Sequence, residues 1–311
     1  MESVPFVFCD AVCAILKDLY AFVEVTSDDS NCGIWKAAAA ATAAGRVTVE
    51  VDIKYKDGVW LYRIFKSVQN GLSRVSISFQ DLKAINSRYV RTSAVGIGFS
   101  YENSLISTLD EVNLILKYSA PFVNLAVMCF DTVVEIPEDI LAELLSPFCN
   151  SSFSEIYVGS YSQAAEGFLK TQLQSESLRR IEIDIETEGW SYELRVAIER
   201  FALAKPFKNV DVNNCLVFDL KFLKKLLRKS CRHDWVTFAA RFRVKFRKLR
   251  KLKKEMQIQK NDENTIVWRR RDGVEVKIER LNDGRFQIHF SCYNNPRSEN
   301  DPREEVREVL I

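Results

Sequence analysis

Proton transfer, metal binding and phosphate binding each require particular side chains, and few stretches of this chain offer them. There are two histidines, His233 and His289. His233 stands beside Asp234, so an imidazole–carboxylate pair is conceivable there; a structural histidine within a basic stretch explains it better. His289 alternates with Ile288 and Phe290, the pattern of a strand whose histidine faces solvent. Cys9 and Cys13 share one face of a helix, but a tetrahedral metal site needs four ligands and no matching pair follows. Core cysteines of a helix are the better account. Gly96-Ile97-Gly98 lacks the third glycine that opens a helix in a dinucleotide loop. No Gly-x-Ser-x-Gly and no Walker-type loop occurs, and the carboxylates are scattered. The chain therefore reads as non-catalytic, with no catalytic residue, no metal site and no cofactor.

One stretch stands out by charge. From Lys221 to Lys254 the chain is strongly basic, with Arg241, Arg243, Lys245, Arg247, Lys248, Arg250, Lys251, Lys253 and Lys254 in close succession. Leu226, Leu227, Phe238, Phe242, Phe246, Leu249 and Leu252 recur among them, largely three or four residues apart. That spacing predicts a basic amphipathic helix. As a binding element, Arg243, Arg247, Arg250, Lys251 and Lys254 would contact nucleic-acid phosphates, an acidic partner or an anionic membrane surface. The alternative, which the sequence favours, is a capping helix that packs on the last repeat while its charges stay solvated. Asp262, Glu263, Glu304, Glu305 and Glu308 partly neutralise it, and no aromatic platform for bases is evident.

The elements that must position these residues belong to an ordinary globular chain. At 311 residues, with 47% hydrophobic and 28% charged residues, a sizeable core is available. A net charge of +2 is too small to argue for a polyanionic partner by itself. The eight cysteines spread over the whole length and mostly sit in apolar runs, as free, buried thiols of a reducing compartment do. No apolar run is long enough for a membrane span, and acids occupy the first thirty residues where a secretory leader would be basic. The expected location is cytoplasmic or nuclear.

Periodicity divides the chain. Phe8, Ala11, Val12, Ile15, Leu16 and Leu19 trace a helix, and a second runs from Ile34 to Ala44, ending at Gly45. Residues 1–45 thus form a short helical module. Residues 46–104 are rich in hairpins: Val47–Ile53 and Trp60–Ile64 alternate on either side of Asp57-Gly58, with further strands at Val75–Phe79 and Val95–Phe99. Residues 105–260 alternate helix and strand, with helices at Leu109–Tyr118, Glu138–Leu145, Gln163–Gln174, Tyr192–Leu203 and Phe218–Leu227. The intervening strands are Phe122–Val127, Phe153–Val158, Leu178–Ile185 and Phe207–Val212. Units this small bury their apolar faces only by stacking, so the α/β body is read as a leucine-rich-repeat-like curved parallel sheet. An ordinary open α/β sheet is the rival. Residues 261–295 carry three closing strands, with turns at Asp272-Gly273 and Asp283-Gly284, and 296–311 a polar tail.

With these elements placed, a resemblance emerges. Val4-Pro5-Phe6, the helix through Leu16, Asp18-Leu19 and Trp35 resemble a divergent F-box. Phe168-Leu169-Lys170-Thr171-Gln172-Leu173, Leu178-Arg179-Arg180-Ile181, Trp190, Leu216-Val217-Phe218-Asp219 and Trp268-Arg269-Arg270-Arg271-Asp272-Gly273 resemble the F-box-associated region of the large nematode F-box families. The resemblance implies a substrate-recognition adaptor of a Skp–cullin–F-box ubiquitin ligase. Val4, Pro5, Phe6, Leu19 and Trp35 would dock on a Skp-type adaptor, and the repeat body would hold a protein substrate. The alternative for residues 4–6 is a helix start that packs on its own core.

Overall fold

Several strands of this protein bury every second side chain, and helices supply the cover. The computed structural model describes Cys9, Val12, Cys13 and residues 33–68, 73–98, 104–131, 136–184, 190–212, 216–228, 235–244, 249, 256–261, 264–270 and 274–292. The fold is α/β, and the chain divides into two compact units, Met1–Phe168 and Leu169–Ile311. The division falls inside the strand–helix body rather than at residue 104.

The first unit opens with α1 (Gly33–Gly45), whose Ala38 and Ala39 pack on Cys9 and Cys13. Small residues here let two helices approach closely. Next come β1 (Val47–Lys56) and β2 (Val59–Val68), joined at Asp57-Gly58 with φ of 52° and 81°. Two consecutive positive φ values make the mirror-image turn that matches strand twist. They are followed by β3 (Ser73–Ile77), α2 (Phe79–Ala84), β4 (Val90–Ile97) and β5 (Leu105–Ser107). Phe79 is not the end of a strand, because Ser78 and Asp81 form a reciprocal capping box that starts α2 there. The remainder is α3 (Leu109–Ser119), β6 (Val123–Phe130), α4 (Glu138–Leu145), β7 (Ser152–Val158) and α5 (Gln163–Gln172), within which the two units divide.

Strand order in this unit is β3-β2-β1-β4-β6-β7, with β5 also on β2. The pairs β1/β4, β4/β6 and β6/β7 are parallel. Steps that all run in one direction through right-handed crossovers place α3 and α4 on the same face. Phe168 of α5 meets Phe130 and Phe153 there, at 5.7 and 5.9 Å between ring centroids. The rival open sheet, covered on both faces, would bury all residues of its parallel strands. Instead β6 and β7 alternate, burying Met128, Phe130, Ile156 and Val158 while Val127, Cys129, Glu155 and Tyr157 stay half-buried.

The second unit contains β8 (Arg180–Ile183), α6 (Tyr192–Ala204), β9 (Asn209–Val212), β10 (Val217–Phe218) and α7 (Leu220–Leu227). It closes with β11 (Trp235–Phe242), β12 (Met256–Asn261), β13 (Thr265–Arg270), β14 (Val274–Arg280) and β15 (Phe286–Cys292). Its order is β8-β9-β11-β15-β14-β13-β12, with β10 also on β11. The pairs β8/β9 and β9/β11 are parallel and the rest of the path is antiparallel. The basic helix expected to run through Phe238 and Phe242 is corrected here. Both residues lie on β11, buried against Phe218 and Phe222, and the helix that precedes them ends at Leu227. The expected turn at Asp272-Gly273 and the tail lie outside the described residues.

A proline–phenylalanine pair closes three of the helices, at Pro121-Phe122, Pro147-Phe148 and Pro206-Phe207. Proline cannot continue the helix, and Phe148 and Phe207 then drop into the core at 0% and 1% exposure. The parallel ladder also carries a row of irregularities at Ser93, Leu125 and Ser154, each left out of register with its neighbour. Leu125 has a φ of 58°, and the carbonyl it displaces accepts the Ser154 hydroxyl at 2.7 Å. Ser93 donates to Val49 O in the same manner at 3.2 Å. Ser154→Ala strips the partner from a half-buried carbonyl, so unfolding in urea is expected to show a loss of about 1 kcal/mol, and Ser154→Thr is expected to keep most of it.

Candidate functional site

The face left bare of α3 and α4 is the surface on which the fold assembles side chains from distant parts of the sequence. In the first unit, register places Tyr157, Cys129, Gly96, Asp52 and Arg63 in one row across five strands. The next row is Glu155, Val127, Ala94, Glu50 and Phe65. Small side chains on β4 and β6 make a low floor between β7 and β1. Three strand spacings separate those walls, about 14 Å, enough for one helix or an extended segment.

The walls are polar and internally neutralised. Arg63 Nη2 donates to Asp52 Oδ2 at 2.9 Å, with side-chain exposures of only 10% and 15%, and its guanidinium lies 3.9 Å over the Phe65 ring. Arg74 pairs with Glu50 at 3.2 Å. Burial nevertheless pushes the carboxyls of Asp52 and Glu50 above their ordinary values, outweighing the arginines. On the opposite wall the Tyr157 hydroxyl donates to Glu155 Oε2 at 2.7 Å. Gly98, at a φ of 97°, commits its N–H to Ile53 O at 2.8 Å, so the glycine pair closes the sheet and offers no phosphate loop.

The corresponding face of the second unit is a polar row of Arg180, Asn209, Thr237, His289 and Lys277 beside one of Glu182, Asp211, Ala239, Gln287 and Glu279. Arg285 ties Asp211 to Asp283, at 2.6 Å to each. His289 does not simply face solvent as the alternation implies. Its Nδ1 lies 3.3 Å from Thr237 Oγ1 and its Nε2 lies 3.6 Å from Glu279 Oε2. A hydroxyl–imidazole–carboxylate chain has the composition of a nucleophile relay, but such a relay also needs backbone donors for a developing oxyanion. The Thr237 N–H is committed to Lys208 O at 2.9 Å, and the neighbouring amides belong to sheet ladders. The trio serves as a polar cross-strand link.

The residues singled out from sequence fall in different places. Val4, Pro5, Phe6 and Leu19 lie outside the described residues, as do His233, Arg247, Arg250, Lys251 and Lys254. Trp35 sits on α1, half-buried against the cluster of Cys9, Cys13, Ala38 and Ala39. Arg243 is exposed just after β11, its N–H bonded to Phe218 O at 2.8 Å. The expectation of buried thiols holds for Cys9 and Cys13 but not for Cys149, which is exposed beyond α4, or Cys129, which is half-buried on the bare face. The motifs that suggested an F-box-associated region occupy structural positions: Phe168, Leu178, Ile181 and Trp268 are core, and Asp219 caps α7. Among the described residues, no group of three or more His, Cys, Asp or Glu side chains could hold a metal ion, and no helix is long and apolar enough to cross a membrane.

Two measurements test these networks. Asp52→Asn leaves the Arg63 charge largely buried without its counter-ion, so a loss of about 2 kcal/mol is expected, with much of it restored in Asp52→Asn/Arg63→Leu. Burial above all depresses the His289 pKa below 6.5, with Lys277 adding to it and Glu279 opposing. The neutral ring is therefore favoured in the folded state. Its contribution to stability is full above 6.5 and is lost as pH falls through the lower folded value. An imidazole resonance titrating below 6.5, and an acid-side stability loss reduced in His289→Gln, are the expected outcomes. No family model matches the chain, and no curated protein and no solved structure matches it.

Proposed function

We propose that the chain is a non-catalytic protein-binding adaptor, the substrate-recognition subunit of a Skp–cullin–F-box type ubiquitin ligase acting in the cytoplasm or nucleus. The observation that supports it is the one-sided cover of the parallel strands. A broad face of mixed small, aromatic and charged side chains extends over five strands of the first unit. A surface of that breadth suits a protein segment better than a small metabolite. Docking on a Skp-type adaptor is assigned to the N-terminal module through Val4, Pro5, Phe6 and Leu19. Trp35, packed on Cys9 and Cys13, acts there as a brace rather than an exposed anchor.

The test is a pull-down of the full chain with a Skp-type adaptor. Wild type is expected to be captured, and Pro5→Ala/Phe6→Ala is expected to lose most of the capture, since central apolar anchors dominate such contacts. Absence of capture by either protein overturns the ligase reading.

A further inference from the structure

The densest run of like charge among the described elements is not on the sheet face but on α7. Lys221, Lys224, Lys225 and Arg228 are all exposed and stand at i, i+3, i+4 and i+7, one continuous stripe about 10 Å long. The opposite stripe, Phe222, Leu223, Leu226 and Leu227, is buried. It packs on Phe218, Phe238 and Phe242, with Phe222 and Phe238 centroids 5.5 Å apart. The helix is thereby held with its basic side outward. Its ends gather more cations. Arg243 is hydrogen-bonded through its backbone to Phe218, next to the N-cap, and Arg270 Nη1 donates to Leu227 O at 3.3 Å.

Neutralising partners are scarce. Among the described residues, Lys221, Lys224, Lys225 and Arg243 make no ion pair within 4 Å. The acids nearby are Asp219, whose Oδ1 accepts from Phe222 N at 2.7 Å, and Glu199, which is paired with Arg195 at 3.7 Å and also attracts Lys225. Like charges three and four residues apart repel one another, which the favourable position of Lys224 and Lys225 in the last turn offsets in part; a polyanion would relieve the repulsion. The sequence after Val244 adds Lys245, Arg247, Lys248, Arg250 and Lys251 with no acid among them.

An aromatic group lies at the same end. Tyr192, at the start of α6, is 65% exposed, and Arg195 stacks on its ring at 4.4 Å while donating to Val217 O, two residues before the Asp219 cap. One ring face carries the guanidinium, and most of the residue's surface is exposed. Stacking on an exposed aromatic beside a cationic track is the composition of a single-strand platform rather than of an acidic-peptide groove. We propose that the α7 stripe binds the phosphate backbone of a single-stranded nucleic acid, with Tyr192 stacking a base.

The probe is a fluorescent oligouridine titrated with the full chain across a salt series. Wild type is expected to bind with a steep salt dependence. Lys221→Gln/Lys224→Gln/Lys225→Gln is expected to lower that slope by about 2, at about 0.7 for each phosphate no longer neutralised. Because mutual repulsion and the favourable last-turn position of Lys224 and Lys225 offset one another, the triple variant should change thermal stability little; Lys224→Gln alone should remove about 0.7 from the slope. Tyr192→Ala should weaken binding roughly tenfold and leave the slope unchanged. The proposal is overturned by absence of binding, by an unaltered slope in both lysine variants, or by equal affinity for polyglutamate or for phosphatidylserine vesicles.

Discussion

A parallel strand with one apolar side must find cover, and here the cover comes from the helix that follows it in sequence. Burying a single Val, Ile or Phe side chain contributes roughly 1.5–3 kcal/mol, so one strand and one helix cannot offset the entropy of ordering them. Neighbouring units must share their faces. That requirement accounts for the one-directional strand order, for α3 and α4 lying on the same face, and for the Pro-Phe junctions that stop a helix and return a ring to the core. It also leaves the other face half-buried, and the charged residues there meet the cost by pairing with one another.

Much of this was legible because local and long-range preferences agree. The boundaries of α4 could be read directly, since Glu138–Leu145 follows a proline and ends before Ser146-Pro147. The β1–β2 hairpin was legible because Asp57-Gly58 supplies both left-handed residues the turn needs. β11 was not. Ala239 and Ala240 are both buried, between a parallel partner on one side and an antiparallel one on the other, so its period of two is broken. Phe238 and Phe242, four apart, then imitate a helix stripe, and the lysines and arginines beside them strengthen the imitation. β12 was hidden directly after the same basic run, although Met256 and Ile258 alternate with Gln257 and Gln259.

The candidate face on the sheet was illegible for a different reason. The row from Tyr157 to Arg63 draws one residue from each of five strands, between Asp52 and Tyr157 in sequence, so it exists only once register is fixed. Bulges make that register hard to infer. Ser93, Leu125 and Ser154 each shift which side chains point to the bare face, and nothing in a run such as Ser152-Phe153-Ser154-Glu155 announces the shift. The α7 stripe could have been found, because Lys221, Lys224, Lys225 and Arg228 follow helix spacing without interruption. The denser charge downstream drew the boundary to the wrong place.

The two surfaces differ in how their charge is balanced, and that difference separates structural from outward-facing electrostatics. On the sheet, guanidiniums are set against carboxylates, Arg63 with Asp52 on the neighbouring strand, Arg74 with Glu50 and Arg285 with Asp211 across an intervening strand. Such pairs fix register and leave little field beyond the surface. Along α7 the capping carboxylate of Asp219 is turned to the helix backbone, and the lysines make no ion pair within 4 Å among the described residues, Glu199 acting on Lys225 only from a distance. Lys224, Lys225 and Arg228 complement the negative end of the helix dipole, but the packing energy of the helix resides in Phe222, Leu223, Leu226 and Leu227 on the other stripe. Polar side chains of either sign, or none, would keep that surface solvated equally well. The charge is therefore directed outward, where its field is felt over roughly a Debye length, about 10 Å at moderate salt.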